Sequence, residues 1–272
     1  MNVGWLETSF AVADVNRTSA WYEALGFRFV ESNDEGMTRT LQGGTDCRLA
    51  LYQGVLDPAE PQLIFWNGDV EACADKLIAA GHELMPNPKF GSAQDARGVV
   101  KQPNGDASLM VRDPDGQLVF LIRMAEVTRT EVPTPSDDLD RGFAQVSLPV
   151  KDPNRTAAFY ELLGFRRAAV TDKEGANVDP RVAALTNGEC RICLYQGYLD
   201  PDELQLNFWQ GDVDAVAAVA RREGMTFYRE PHGDAAGKAM MLTDPDGRPS
   251  FFITMGKYTD RDFVSERGEM LA

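Results

Sequence analysis

Apolar and polar positions alternate along this chain in short runs, and each run ends at an aspartate followed by apolar residues at helical spacing. Residues 10–27 read Phe-Ala-Val-Ala-Asp-Val-Asn-Arg-Thr-Ser-Ala-Trp-Tyr-Glu-Ala-Leu-Gly-Phe. The pattern predicts a strand, Asp14 as the helix cap, an amphipathic helix, and Gly26 as its C-terminal stop. Residues 148–165, Leu-Pro-Val-Lys-Asp-Pro-Asn-Arg-Thr-Ala-Ala-Phe-Tyr-Glu-Leu-Leu-Gly-Phe, repeat it with Asp152 and Gly164 in the same roles. A second pair of blocks follows. Cys47 to Pro58 matches Cys190 to Pro201, and Gln62 to Val70 matches Gln205 to Val213. Each leads into a helix of about a dozen residues, 69–80 and 212–223, closed by Gly81 and Gly224. Each half ends on Asp-Pro-Asp-Gly, at Asp113–Gly116 and Asp244–Gly247. Proline presets φ, aspartate bonds nearby backbone and glycine accepts positive φ, so both copies predict a turn feeding a β-prone run.

Strand, helix and strands therefore occur twice within each repeat, a βαβββ module used four times. The first repeat has the longer loop, near Pro88 to Asp106. The domains expected are 1–126 and 142–256, with a polar linker at 127–141 and a charged tail at 257–272.

Composition narrows the function. At 272 residues, 43% hydrophobic and 25% charged, the chain has the make-up of a soluble protein with room for two cores. A net charge of -15 argues against nucleic acid and anionic membranes as partners. The N-terminus lacks a basic stretch leading into an apolar core, and no apolar run reaches membrane-spanning length, so the expected location is the cytoplasm. Four cysteines are too few for a disulfide scaffold. Cys190 and Cys193 lie in a strand-like run, where a spacing of three points side chains to opposite faces. They read as small buried residues rather than a metal pair.

The strand–Asp–helix–Tyr-Glu-x-Leu-Gly-Phe block, together with the closing Asp-Pro-Asp-Gly turn, resembles the vicinal oxygen chelate superfamily of glyoxalases, bleomycin-resistance proteins and extradiol dioxygenases. The resemblance runs twice over nearly the whole chain. It implies an α+β fold in which four βαβββ modules form two eight-stranded open troughs, with helices outside and the ligand inside. It leaves open whether modules pair within a repeat or between repeats, and pairing within a repeat is the expectation. In metal-using members it implies four ligand positions per trough. Here these are Glu7, Arg48, Gln62 and Phe120 in the first, and Gln145, Arg191, Gln205 and Phe251 in the second. One carboxylate and several amides, beside arginine, are a poor set for a divalent ion. The chain has only two histidines, His82 and His232, both expected in loops. No metal and no cofactor are expected.

Strand parity places Glu7, Arg48, Tyr52, Gln62, Trp66 and Phe120 inside the first trough. It places Gln145, Arg191, Tyr195, Gln205, Asn207, Trp209 and Phe251 inside the second. An aromatic concavity with a few polar groups suits a small molecule; the competing reading is that the aromatics simply fill the troughs. The leading expectation is a metal-free protein that sequesters, resists or senses a small, anionic and aromatic molecule. The alternative is a glyoxalase- or lyase-like enzyme with Glu7 as general base, Arg48 or Tyr52 as electrophilic partner, and a weakly held divalent metal. A regulatory protein with filled troughs is the third. Arg191 faces Gln145 where Arg48 faces Glu7, so the second trough is expected to prefer anions. Self-association is left open.

Overall fold

The structure is a computed structural model. It describes residues 2–33, 35–43, 47–57, 60–85, 94–130, 139–168, 179–188, 190–199, 203–234 and 236–255. Most of the expected linker and the tail lie outside the described residues.

The first repeat runs β1 (Gly4–Val12), α1 (Val15–Ala24), β2 (Arg28–Ser32), β3 (Thr38–Gln42), β4 (Arg48–Gln53), then β5 (Gln62–Asn67), α2 (Val70–Ala79), β6 (Leu84–Met85), β7 (Val100–Lys101), β8 (Ala107–Arg112) and β9 (Leu118–Arg123). The second runs β10 (Gly142–Pro149), α3 (Pro153–Leu162), β11 (Arg166–Ala168), β12 (Val182–Thr186), β13 (Arg191–Tyr195), then β14 (Gln205–Gln210), α4 (Val213–Arg222), β15 (Thr226–Asp234), β16 (Gly237–Thr243) and β17 (Pro249–Met255).

The expected caps are in place. The Asp14 carboxylate accepts the N–H groups of Asn16 and Arg17 at 2.9 and 3.0 Å, and Asp152 does the same for Asn154 and Arg155. These bonds satisfy donors that a helix start leaves without partners. In the Asp-Pro-Asp-Gly turns the first aspartate accepts two backbone N–H groups, from Asp115 and Gln117 or from Asp246 and Arg248. Gly116 and Gly247 sit at φ 97° and 92°, the region that favours glycine.

Each repeat makes its own sheet. The orders are β2-β3-β4-β1-β5-β9-β8-β6, with β7 added on β8, and β11-β12-β13-β10-β14-β17-β16-β15. The two modules of a repeat thus pair with each other, joined where β1 meets β5 and β10 meets β14, both antiparallel. That pairing has an internal two-fold: Glu7 lies opposite Ile64 while Ser9 lies opposite Gln62.

One face of each sheet is apolar and covered by helices. Phe10, Leu63 and Phe65 of the first sheet share one continuous core with Val146, Leu206 and Phe208 of the second. Across the repeats Phe27 meets Phe208 edge-on at 5.9 Å, and Phe65 meets Phe165 at 5.8 Å. The closing turns cross over as well. Asp246 accepts the Ala13 N–H at 2.7 Å and the Thr18 hydroxyl at 2.6 Å. Its counterpart Asp115 accepts the Lys151 N–H at 2.8 Å and the Thr156 hydroxyl.

His232 departs from its expected loop: it lies in β15, an exposed edge strand whose Pro231 and Gly233 hide it from pattern reading. Among the described residues no helix is long and apolar enough to cross a membrane.

Candidate functional site: two unlike troughs

The face of each sheet turned away from the shared core is the trough. In the first, β1 presents Trp5, Glu7 and Ser9, and β5 presents Gln62, Ile64 and Trp66, since neighbours two apart share a face. Arg48, Ala50 and Tyr52 come from β4, and Leu118, Phe120 and Ile122 from β9. Ile64, Leu118, Phe120 and Ile122 form a buried cluster, with Trp66, Met85, Met110 and Met124 packed on it. Trp5, which parity from Glu7 also reaches, stacks on Trp66 at 5.8 Å, and the Arg48 guanidinium lies 4.8 Å from the Trp5 ring. Apolar side chains gather on the β5–β9 side of this trough.

The polar side chains of this trough are Glu7, Ser9, Arg48, Tyr52 and Gln62, and Glu7 is the carboxylate among them. Its side chain is 4% exposed, and Oε1 has no hydrogen-bond partner. Burial pushes its carboxyl up to about 7, while Trp66 and the Arg48 guanidinium pull the other way. The Tyr52 hydroxyl is pushed upward by its own burial and by the Glu7 charge.

The second trough is built on the same register and filled differently. Asn207 stands where the first has Ile64, opposite Gln145 on β10 and Phe251 on β17. Ser147 Oγ accepts from Asn207 Nδ2 at 2.8 Å and from Gln145 Nε2 at 3.2 Å, and Gln145 Nε2 also donates to the Tyr195 hydroxyl at 3.0 Å. In front of these groups is a cavity of about 310 Å³. Gln205, Asn207, Trp209, Tyr195 and Phe251 line it, together with Met241, Val182, Tyr198, Leu199 and Arg229. Asn207 is 2% exposed, yet its Oδ1 has no partner, and neither has Trp209 Nε1.

Of the residues expected in this trough, Gln205, Asn207, Trp209, Tyr195 and Phe251 come together around the cavity. Gln145 stands behind them, holding Ser147. Arg191 does not join them. It lies four residues along β13 from Tyr195, outside the cavity lining, with its guanidinium 5.2 Å from the Phe143 ring. Val182, Met241, Tyr198, Leu199 and Arg229 were missed. Met241 is reachable only through its cross-strand pairing with Phe251, which local sequence does not carry.

The register also tests the fit of a metal. Ser9 pairs with Ala50 and Ile64 with Phe120, so the two-fold makes Ala50, not Arg48, the counterpart of Phe120. Cys193 is likewise the counterpart of Phe251, not Arg191. Each quartet therefore loses its arginine. The first becomes Glu7, Ala50, Gln62 and Phe120; the second becomes Gln145, Cys193, Gln205 and Phe251. Burial pushes the Cys193 thiol up to about 11, which keeps it protonated. A single carboxylate, amides, a thiol and phenyl rings do not fit a divalent ion. Among the described residues no three His, Cys, Asp or Glu side chains gather at one place.

A family model described as the Glyoxalase/Bleomycin resistance protein/Dioxygenase superfamily matches residues 4–121 and 142–248. No curated protein matches the chain in a sequence comparison. Among solved structures, the Mn(II)-bound glyoxalase from Novosphingobium aromaticivorans is similar, with TM-score 0.58 and 15% identity over 93% of this chain and 81% of that one. The 2,3-dioxygenase LapB from Pseudomonas sp. KL28 gives 0.56 and 14%, over 94% and 92%. Homoprotocatechuate 2,3-dioxygenase from Arthrobacter globiformis gives 0.56 and 19%, over 93% and 79%. At such identities the likeness is one of fold.

Proposed function

The chain belongs to the glyoxalase/bleomycin resistance protein/dioxygenase superfamily, and we propose that it is a metal-independent binder of a small molecule held in the second trough. The observation that carries this reading is the cavity of about 310 Å³ in the second trough, lined by the rings of Tyr195, Trp209 and Phe251 with the amides of Gln205 and Asn207. The volume is at the low end of small-molecule sites, and the aromatic and apolar walls are of the kind such sites use. Tyr195, Phe251 and Trp209 supply contact area, Gln205 and Asn207 supply polar recognition, and Gln145 with Ser147 holds Asn207 in place. Sequestration, resistance or sensing all follow from binding without turnover.

A thermal-shift screen in chelator tests this, repeated on Val182→Trp, which fills the cavity from its partly exposed wall. Saturable binders that the substitution abolishes, and that emerge unchanged, are the expected result. Binders indifferent to Val182→Trp would place the site elsewhere.

One observation favours a second reading for the first trough. A carboxyl poised at about 7 suits proton transfer at neutral pH, which gives Glu7 the general-base role, with Arg48 or Tyr52 as partner. Turnover of any screened compound that Glu7→Gln abolishes would establish that reading and displace the first.

A further inference from the structure

We propose that the second trough takes an aromatic molecule carrying an anionic group, with the acid on Arg229 at the trough rim and the rings inside against Phe251 and Met241. The inference rests on the binding reading above and adds the class of ligand and the residue that selects it.

Strand registers place Arg229 on the trough face. Asn207 of β14 pairs with Phe251 of β17, Phe251 with Met241 of β16, and Met241 with Arg229 of β15. Residues directly opposite on paired strands turn their side chains to the same face, and all four line the cavity. β15 is the last strand of its sheet, so the row starts at the trough floor and ends at the rim, where Arg229 is exposed. The first repeat has the same row, made of Ile64, Phe120, Met110 and Met85. Its two middle residues are again phenylalanine and methionine. The ends differ. Asn207 stands in place of Ile64, and Arg229 in place of Met85, which packs on the first trough's apolar cluster.

The charge balance of the lining selects the ligand. Among the described residues Arg229 is the one charged side chain of the cavity, and no carboxylate lines it. The adjacent Glu230 is bound to Arg221 at 2.8 Å, and Asp179, beside Tyr198, is bound to Arg181 at 2.6 Å. A guanidinium offers several N–H donors in a planar fork, more than a single neighbour takes up, and the fork matches a carboxylate or phosphate. Two strand spacings, about 10 Å, separate Arg229 from Phe251. A fused two-ring aromatic acid covers that span, and the rings of Tyr195, Trp209 and Phe251 with the Met241 thioether give its body contact area. The chain as a whole carries a net charge of -15 and repels anions. Retention of an acid in this cavity therefore depends on the local cation.

Isothermal titration of the full chain with 2-naphthoate and its neutral amide, 2-naphthamide, tests the inference. The acid is expected to bind about fivefold more tightly than the amide, the upper end of what a partly exposed ion pair contributes. Arg229→Met copies the first repeat's Met85 on an exposed strand. It is expected to remove the preference while 2-naphthamide binding persists, which also shows that the variant folds. Val182→Trp, which fills the cavity, is expected to abolish binding of both. Equal affinity for acid and amide in the wild type overturns the anionic inference and leaves the binding reading standing. A preference undiminished in Arg229→Met overturns it too, as does binding of either compound that survives Val182→Trp. If neither compound binds, the inference falls, and the thermal-shift screen alone decides the binding reading.

Discussion

The Asp115 carboxylate, in the closing turn of the first repeat, accepts the backbone N–H of Lys151 at the start of the second repeat's first helix, at 2.8 Å. Asp246 makes the same bond to Ala13 in the other direction, at 2.7 Å. Each repeat thereby holds the entry to the other's first helix. Hydrogen bonds to charged groups contribute about 1.5–3 kcal/mol. Asp115→Ala and Asp246→Ala are each expected to lower unfolding free energy by about that much in urea titrations.

The crossed contacts also bear on a fragment of residues 1–128. Its sheet is complete, since both of its modules pair within the repeat, but Phe27 and Phe65 would lose Phe208 and Phe165. The two repeats present similar faces to each other, so two copies of the fragment can re-create the interface. We expect sedimentation to show a dimer of the fragment at micromolar concentration. A monomer with two-state unfolding would show instead that one repeat is self-sufficient.

Glu7 makes stability depend on pH. Its carboxyl is raised from 4.5 to about 7 in the folded chain, so between those values the folded state binds the extra proton. The stabilisation is complete below about 4.5, falls as pH rises, and is lost above about 7. Glu7→Gln, the residue that the second repeat carries at Gln145, removes the dependence. At pH 8 the variant should be more stable than wild type by up to about 3 kcal/mol, with little difference at pH 4.5. Parallel pH profiles for the two proteins would show that Glu7 is not held in this way.

Metal should be dispensable. A divalent ion bound only to the folded state raises its stability by mass action, and the eight positions at the trough floors offer Glu7 as their sole carboxylate. Melting temperature is expected to be the same in chelator and in excess Mn²⁺ or Zn²⁺. A rise of several degrees with either ion that Glu7→Gln abolishes would count against this.

Much of the fold could be read from local chemistry. Asp14, Asp152 and the two Asp-Pro-Asp-Gly turns act within a few residues of themselves, and strand parity follows from a period of two. Parity was enough to place Asn207, Trp209 and Phe251 on one face. What it could not reach depends on registration between strands. Ala50 and Cys193 displace Arg48 and Arg191 from the quartets only once the β1–β4 and β10–β13 pairings are known. Met241 joins the cavity through β16 and β17, and Tyr198 and Leu199 through a loop. Arg191 does not line the cavity for the same reason: a residue can face the right way and still lie too far along its strand.

The two-fold resemblance between repeats also has a historical side. Two separate copies of a single repeat, associating through their backs, would be obliged by symmetry to carry identical fronts. Tethered in one polypeptide, the copies keep the shared back and escape that obligation. Ile64 against Asn207 and Glu7 against Gln145 are the visible result: Ile64 joins an apolar cluster on one front, while Asn207 lines a cavity on the other. Fusion has preserved a symmetric frame while letting its two halves specialise.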